Sequence, residues 1–113
     1  MTDKLVYAKA KNVRIAPRKA RLVIDLVRNK NAQEMAQKLK FLNKKAALHI
    51  RKVVESAIAN AKHNNDMETE NLVIKEARVD EAYTLKRGRA VSKGRYHKIL
   101  KRNSHIVIGI GKN

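Results

Sequence analysis

The stretch LKRGRAVSKGRYHKILKR, from Leu85 to Arg102, constrains this chain more than any other. It holds eight Lys or Arg, no acid, two glycines and few large apolar residues, so it cannot bury enough apolar surface to fold by itself. Two strand-like runs bound it. NLVIKEARVDEAYTL (Asn71–Leu85) places Val73, Ala77 and Val79 on one face. SHIVIGIG (Ser104–Gly111) alternates Ile106, Ile108 and Ile110 with Val107 and Gly109, the strongest strand signal in the chain. If these runs pair antiparallel, the basic segment is their extension, a long hairpin projecting past the core. Its turn falls at Ala90–Gly94, where Gly94 permits a positive φ and Ser92 suits a turn. About ten residues per arm at about 3.3 Å each gives a reach of roughly 30 Å. An isolated hairpin is marginal in water, so the arm is expected to order on a partner. The competing reading, an unstructured basic loop, fits poorly with two matched strands and no linker composition.

The rest of the chain supplies a body. LVYAKAKNVRIA (Leu5–Ala16) reads as a strand with Leu5, Tyr7, Val13 and Ile15 on one face. Pro17 then opens a helix at a position where its missing N–H costs nothing. Ala20, Val23, Ile24 and Val27 follow at helical spacing, and Asn29 marks the stop. A second helix starts at Asn31, with Glu34 as its capping-box partner and Met35, Leu39 and Leu42 as its apolar stripe. The third is the clearest. In NKKAALHIRKVVESAIANAKHNN, Ala47, Ile50, Val54, Ala57 and Ala61 recur every three or four residues. Asn43 is its candidate N-cap, and His63–Asp66 are read as its closing turn. Lys44, Lys45, Arg51 and Lys52 fall outward as solvated charges. The fold class expected is α+β: three helices packed on a small three-stranded antiparallel sheet, with a long extended β-hairpin at about 82–103 in a single domain of 113 residues.

A net charge of +17 makes the chain repel itself when compact, which points to a life against a polyanion. Between Lys4 and Ile24 there are seven Lys or Arg and no acid; after Glu81 there are nine and again no acid. Nucleic acid is the leading partner and a membrane surface a distant second. The longest apolar runs, such as Leu22-Val23-Ile24, are far short of a span, the first residues lack a secretory h-region, and there is no cysteine. The reading is therefore soluble, intracellular and without a membrane partner.

Catalysis finds little to work with. No His-x-x-x-His pair and no cysteine exist, so no metal site is expected. Asp66, Glu68 and Glu70 read as a solvated acidic turn, and the closing GIGKN lacks the spacing of a phosphate-binding loop. No catalytic residue and no cofactor is assigned. Binding is better supplied. Lys86, Arg87, Arg89, Lys93, Arg95, Lys98, Lys101 and Arg102 form two facing basic rows along the arm, able to grip phosphate or stack on unpaired bases. Tyr96 either stacks on a base or packs against the opposite arm. In the body, Arg18, Lys19 and Arg21 are candidate phosphate contacts near the start of the first helix. Arg18, Lys19 and Arg21 have a solvated helix face as their plainer reading, against which the overall charge weighs.

APRKARLVIDLVRNK, NKKAALHIRKVVESAIANAKHN, VDEAYTLKRGR and KGRYHKILKRNSHIVIGI, in that order, resemble the bacterial L-twenty-two family of large-subunit ribosomal proteins. The likeness runs from about Lys9 to Ile110. It implies a structural, non-enzymatic protein that binds 23S-type rRNA across several rRNA domains, supports subunit assembly and touches neighbouring ribosomal proteins. It also implies a hairpin lining the nascent-peptide exit tunnel. Carried onto this chain, the tunnel segment is Leu85–Arg95, with Gly88, Arg89, Ala90, Val91, Ser92, Lys93 and Gly94 at its tip, and the implied rRNA contacts of the first helix fall on Arg14, Arg18, Lys19 and Arg21, with Lys9 and Lys11 on the preceding strand. The setting implied is the ribosome, cytoplasmic or organellar, without homo-oligomerisation. The chain departs from the family pattern at Ala82-Tyr83, where Gly-Pro is usual, at Ala90-Val91-Ser92, where a Pro-Arg-Ala run is usual, and at Gly88. Two rivals remain: an architectural DNA-binding protein with basic β-arms, and an RNA-processing enzyme. Against the first, the only proline is Pro17, far from the arm that would wedge between base steps.

Overall fold

Ile106, Ile108 and Ile110 are fully buried, and the strand that carries them is the centre of the fold. The computed structural model describes residues 5–65, 71–82, 85–91, 95–101 and 103–112, with backbone course alone over 85–91 and 95–101. The elements run β1 (Val6–Val13), α1 (Pro17–Ile24), α2 (Ala32–Leu39), α3 (Lys45–Asn65), β2 (Leu72–Glu81), β3 (Leu85–Val91), β4 (Arg95–Lys101) and β5 (Ser104–Lys112). β5 lies between β1 and β2 and pairs antiparallel with both. This is the α+β class the periodicities predict. The last strand, the most apolar, takes the middle place because only there are both its neighbours strands.

Both outer strands change phase, which a strict alternation does not foresee. In β1 the core residues are Val6 and Ala8, while Tyr7 is 43% exposed, so the face assigned to Leu5 and Tyr7 is the outer one. A bulge between Ala10 and Val13, with Asn12 at φ 56°, shifts the register and returns Ile15 to the core. In β2 the bulge falls between Ile74 and Glu76. Leu72 and Ile74 are buried before it, Ala77 and Val79 after it, and Val73 is only half-buried. One extra residue has moved the apolar set from one parity to the other.

The helices cover the inner face with the residues their spacing selects: Ala20, Val23, Ile24 and Val27 near α1, Met35 and Leu39 on α2, and Ala47, Ile50, Val54, Ala57 and Ala61 on α3. Small residues on α3 let its backbone approach the sheet closely. Pro17 opens α1, and Ala16 at its N-cap makes no side-chain cap bond. Asn31 caps α2 by accepting the Glu34 N–H at 3.1 Å. α3 starts at Lys45, which makes Lys44 rather than Asn43 its N-cap, and it continues to Asn65, past the turn expected from His63. Asp66, Glu68 and Glu70 lie outside the described residues. Asn29, at φ 65°, turns the chain after α1 and donates its N–H to the Ile74 carbonyl at 2.7 Å.

The outer face is a polar lattice laid over β5. Tyr7 on β1 and Glu76 on β2 flank Gly109, and the Tyr7 hydroxyl donates to Glu76 Oε2 at 2.7 Å. A Cβ on Gly109 would stand 2.8 Å from Tyr7 Cε1, so only glycine lets the ring cross the strand there. Arg78 binds both Glu76 and Asp80 along β2.

Candidate nucleic-acid interface

The arm continues the body's own ladder. Glu81 pairs with Ser104, the Ala82 N–H reaches the Asn103 carbonyl at 3.1 Å, and β3 and β4 pair from Leu85–Lys101 to Val91–Arg95. The seven described residues in each strand give a paired length of about 23 Å, and the remainder of the expected arm lies outside the described residues. The register also corrects the picture of facing basic rows. Lys86 is opposite Leu100, Arg87 opposite Ile99, Lys98 opposite Gly88, Arg89 opposite His97, Arg95 opposite Val91 and Lys101 opposite Leu85. No two of these cations are directly opposite in the register. Gly88, Arg89, Ala90 and Val91 belong to β3, whereas Ser92, Lys93, Gly94 and Arg102 lie outside the described residues.

On the body the candidate cations fall into separate groups. Lys9 and Lys11 are exposed on β1, Lys9 sharing the outer face with Tyr7. Arg14, Arg18 and Lys19 are exposed around the entry to α1. Arg21 is exposed but not idle: its Nε and Nη2 donate to the Val79 carbonyl at 3.3 and 3.1 Å. Part of its fork therefore holds α1 to β2, and the rest faces outward.

Arg14 and Lys19 line a hollow of about 560 Å³ together with Ile15, Ala16, Leu22, Lys44, Lys45 and Ala46. A buried hydroxyl fixes one wall: Ser104 Oγ donates to the Ile15 carbonyl at 2.6 Å, tying the β1–α1 connection to β5. Among the described residues, Arg14, Lys19, Lys44 and Lys45 make no ion pair. Reading Lys44 and Lys45 as ordinary solvated charges missed this grouping. The signal available was their place at the start of a helix whose first acid is Glu55. Arg51, also read as outward, is half-buried and 3.8 Å from Glu55. One turn beyond Lys45 on α3, His49 has its pKa lowered by partial burial first, then by Lys45 and Lys52.

Among the described residues no helix is long and apolar enough to cross a membrane, and no group of three His, Asp or Glu could hold a metal ion. The fold and its charge thus define a class: a small, strongly basic α+β body extended by a paired basic arm. Residues 8–110 match the family model described as Ribosomal protein L22p/L17e. The chain is 50% identical over 105 residues to the large ribosomal subunit protein uL22 of Lactobacillus delbrueckii subsp. bulgaricus, covering 93% of this chain and 90% of that protein. It is 54% identical over 101 residues to the uL22 protein of Staphylococcus aureus strain JH9, covering 89% and 86%. The chain belongs to the L22p/L17e family of ribosomal proteins, which is not a family of enzymes.

Proposed function

We propose that this protein is a structural constituent of the large ribosomal subunit that binds 23S-type rRNA, supports subunit assembly and lines the nascent-peptide exit tunnel with its hairpin. The observation that carries the reading is the family match across residues 8–110 in a chain of net charge +17. The physical logic agrees with it. Each phosphate neutralised releases condensed counterions, so a chain with cations on β1, at the α1 entry and along the arm gains from RNA on several sides. Cations on separate elements suit contact with more than one rRNA domain, and neutralising them lets RNA helices approach during assembly. A narrow two-stranded arm fits between RNA elements where a globular body does not, and its outer end would meet the nascent peptide. Neighbouring ribosomal proteins are the other expected contacts, in a cytoplasmic or organellar ribosome.

A lightly tagged version sedimented from lysate, at low and at high salt, tests this. Co-migration with the large subunit that survives the high-salt wash is the expected result. Release into the free or nucleoid fraction would overturn it and favour the DNA-arm reading. That rival gains nothing from the position of Pro17, which is buried at the first turn of α1 in the body.

A further inference from the structure

We propose that Ser104 is the positioning residue of the basic arm: its buried hydroxyl, bonded to the Ile15 carbonyl at 2.6 Å, sets the direction in which the arm leaves the body. This rests on the reading of the arm as an element that threads into rRNA, and adds the part that aims it. The need for such a part follows from the register. Glu81 pairs with Ser104 in the body and Leu85 with Lys101 in the arm, so three intervening residues on one strand stand against two on the other. A mismatch of one residue bends and twists a ladder, and β3 and β4 form a two-stranded sheet of their own. Backbone pairing therefore does not carry the direction of the body's sheet into the arm. Nor does a two-stranded hairpin hold a direction by itself.

The contacts at the root converge on Asn103, Ser104 and His105. Ser104 stands in register with both Glu81 on β2 and Val13 on β1. Before it, the buried Asn103 accepts the Ala82 N–H on its carbonyl; after it, His105 Nδ1 accepts the Asn12 N–H at 3.1 Å. Asn12 and Ile15 lie on either side of Val13, where β1 ends after its bulge. Two consecutive side chains of the strand returning from the arm thus clasp the β1–α1 connection. Ser104 shares its inward parity with Ile106, Ile108 and Ile110, all fully buried. A small apolar residue would fill its place but leave the Ile15 carbonyl without that donor, and a buried carbonyl so left is costly. Hydrogen bonds fix distance and angle, whereas apolar contact is non-directional and lets a strand end slide. The arm magnifies any slip. A tilt of about 10° at the root moves the far end of an arm of about 23 Å by about 4 Å, enough to break a phosphate contact.

The test uses the full chain. It has no cysteine, so K52C/V91C places two spin labels, one on an exposed position of α3 and one at the far end of β3. S104A should broaden the distribution of distances between them, and S104T, which keeps the hydroxyl, should broaden it less. H105A gives up an exposed bond and carries the same test where S104A proves unstable. Binding to protein-free large-subunit rRNA at about 200 mM salt then separates aim from stability. S104A should weaken it about fivefold, as when the correctly aimed fraction of arms falls to about a fifth. In an R87E/R95E background, where the arm's grip is already lost, S104A should cost less than about twofold. Unchanged label distances in both S104A and H105A would overturn the proposal. So would an equal loss of affinity in the two backgrounds, because Ser104 would then act on the body and not through the arm. Failure of the underlying reading looks different: the unsubstituted protein would bind large-subunit rRNA no better than unrelated RNA of equal length, while the label distances would still decide whether Ser104 aims the arm.

Discussion

His49 shows how one residue can report on the charge around it. It lies one turn from Lys45 and three residues from Lys52 on α3, and partial burial together with those cations holds its pKa below the usual 6.5. In the unfolded chain the ring takes up a proton near its ordinary value; in the folded chain it resists until the pH is lower. The unfolded state therefore binds more protons just below pH 6.5, and stability must rise with pH through that window. Its contribution is fully present above the unfolded value and is lost as the pH falls through the folded one. H49Q, which cannot titrate, should lose less stability than the unsubstituted protein between about pH 7.5 and about pH 5.5 in urea unfolding. Identical pH profiles would mean that the ring is solvated well enough to titrate normally.

At the scale of elements, the organising fact is how β2 survives as an edge strand. An edge exposes unpaired N–H and C=O groups, and proteins commonly cover it. Here the segment after α1 does so: Asn29 donates to the Ile74 carbonyl, the Ile74 N–H returns to Lys30, and Asn31 forms a bridge with Val73. Arg21 and Arg28 continue the cover along the strand, Arg28 donating from Nη2 to the Ala77 carbonyl at 2.6 Å while Nη1 pairs with Asp25 at 2.9 Å. Removing that charged donor should cost about 1–2 kcal/mol, discounted because Arg28 is 41% exposed on its side chain. R28A should therefore melt several degrees lower, R28K should recover part of the loss, and an unchanged melting temperature would mean that water serves the carbonyl equally well. This edge also marks where sequence reading stops. Helical stripes are legible because each apolar residue on α3 repeats the same geometry, and β5 is legible because its isoleucines keep one parity. The bulges at Ala10–Val13 and Ile74–Glu76 are not, since one extra residue in a strand leaves no compositional mark, and Lys75 or Asn12 would look ordinary in any loop. The double duty of Arg21 is hidden for a different reason. Its partner is a backbone carbonyl 58 residues away, and carbonyls have no sequence signature. Lys44 and Lys45 are hidden in the same way, because their company in the hollow comes from Arg14 and Lys19, residues brought near only by the packing of α1 against α3.

The whole molecule poses a question of charge that neither scale below it answers: whether the arm binds by its placement or merely adds to a large positive total. At +17 the chain would bind any polyanion in dilute salt, so affinity there says little. Reversing two arginines of the arm, R87E/R95E, lowers the net charge by four, from +17 to +13. K38E/K40E, at the C-terminal end of α2, lowers it by the same four, outside the hollow and the arm. If total charge governs binding, the two variants must behave alike at every salt concentration. If the arm threads between RNA elements, its cations meet phosphates at close range, and each phosphate no longer neutralised removes about 0.7–0.9 from the log–log salt slope. R87E/R95E should then flatten the slope by about 1.5 or more and weaken binding to large-subunit rRNA most strongly near 200 mM salt, where screening has already silenced distant charges. K38E/K40E should shift affinity mainly at low salt and leave the slope close to its original value. Equal slopes for the two variants would reduce the arm to ballast. Unequal slopes would mean that the staggered register of β3 and β4 delivers separate cations to separate phosphates, the one arrangement in which an extension unable to fold by itself strengthens the complex more than its charge alone could.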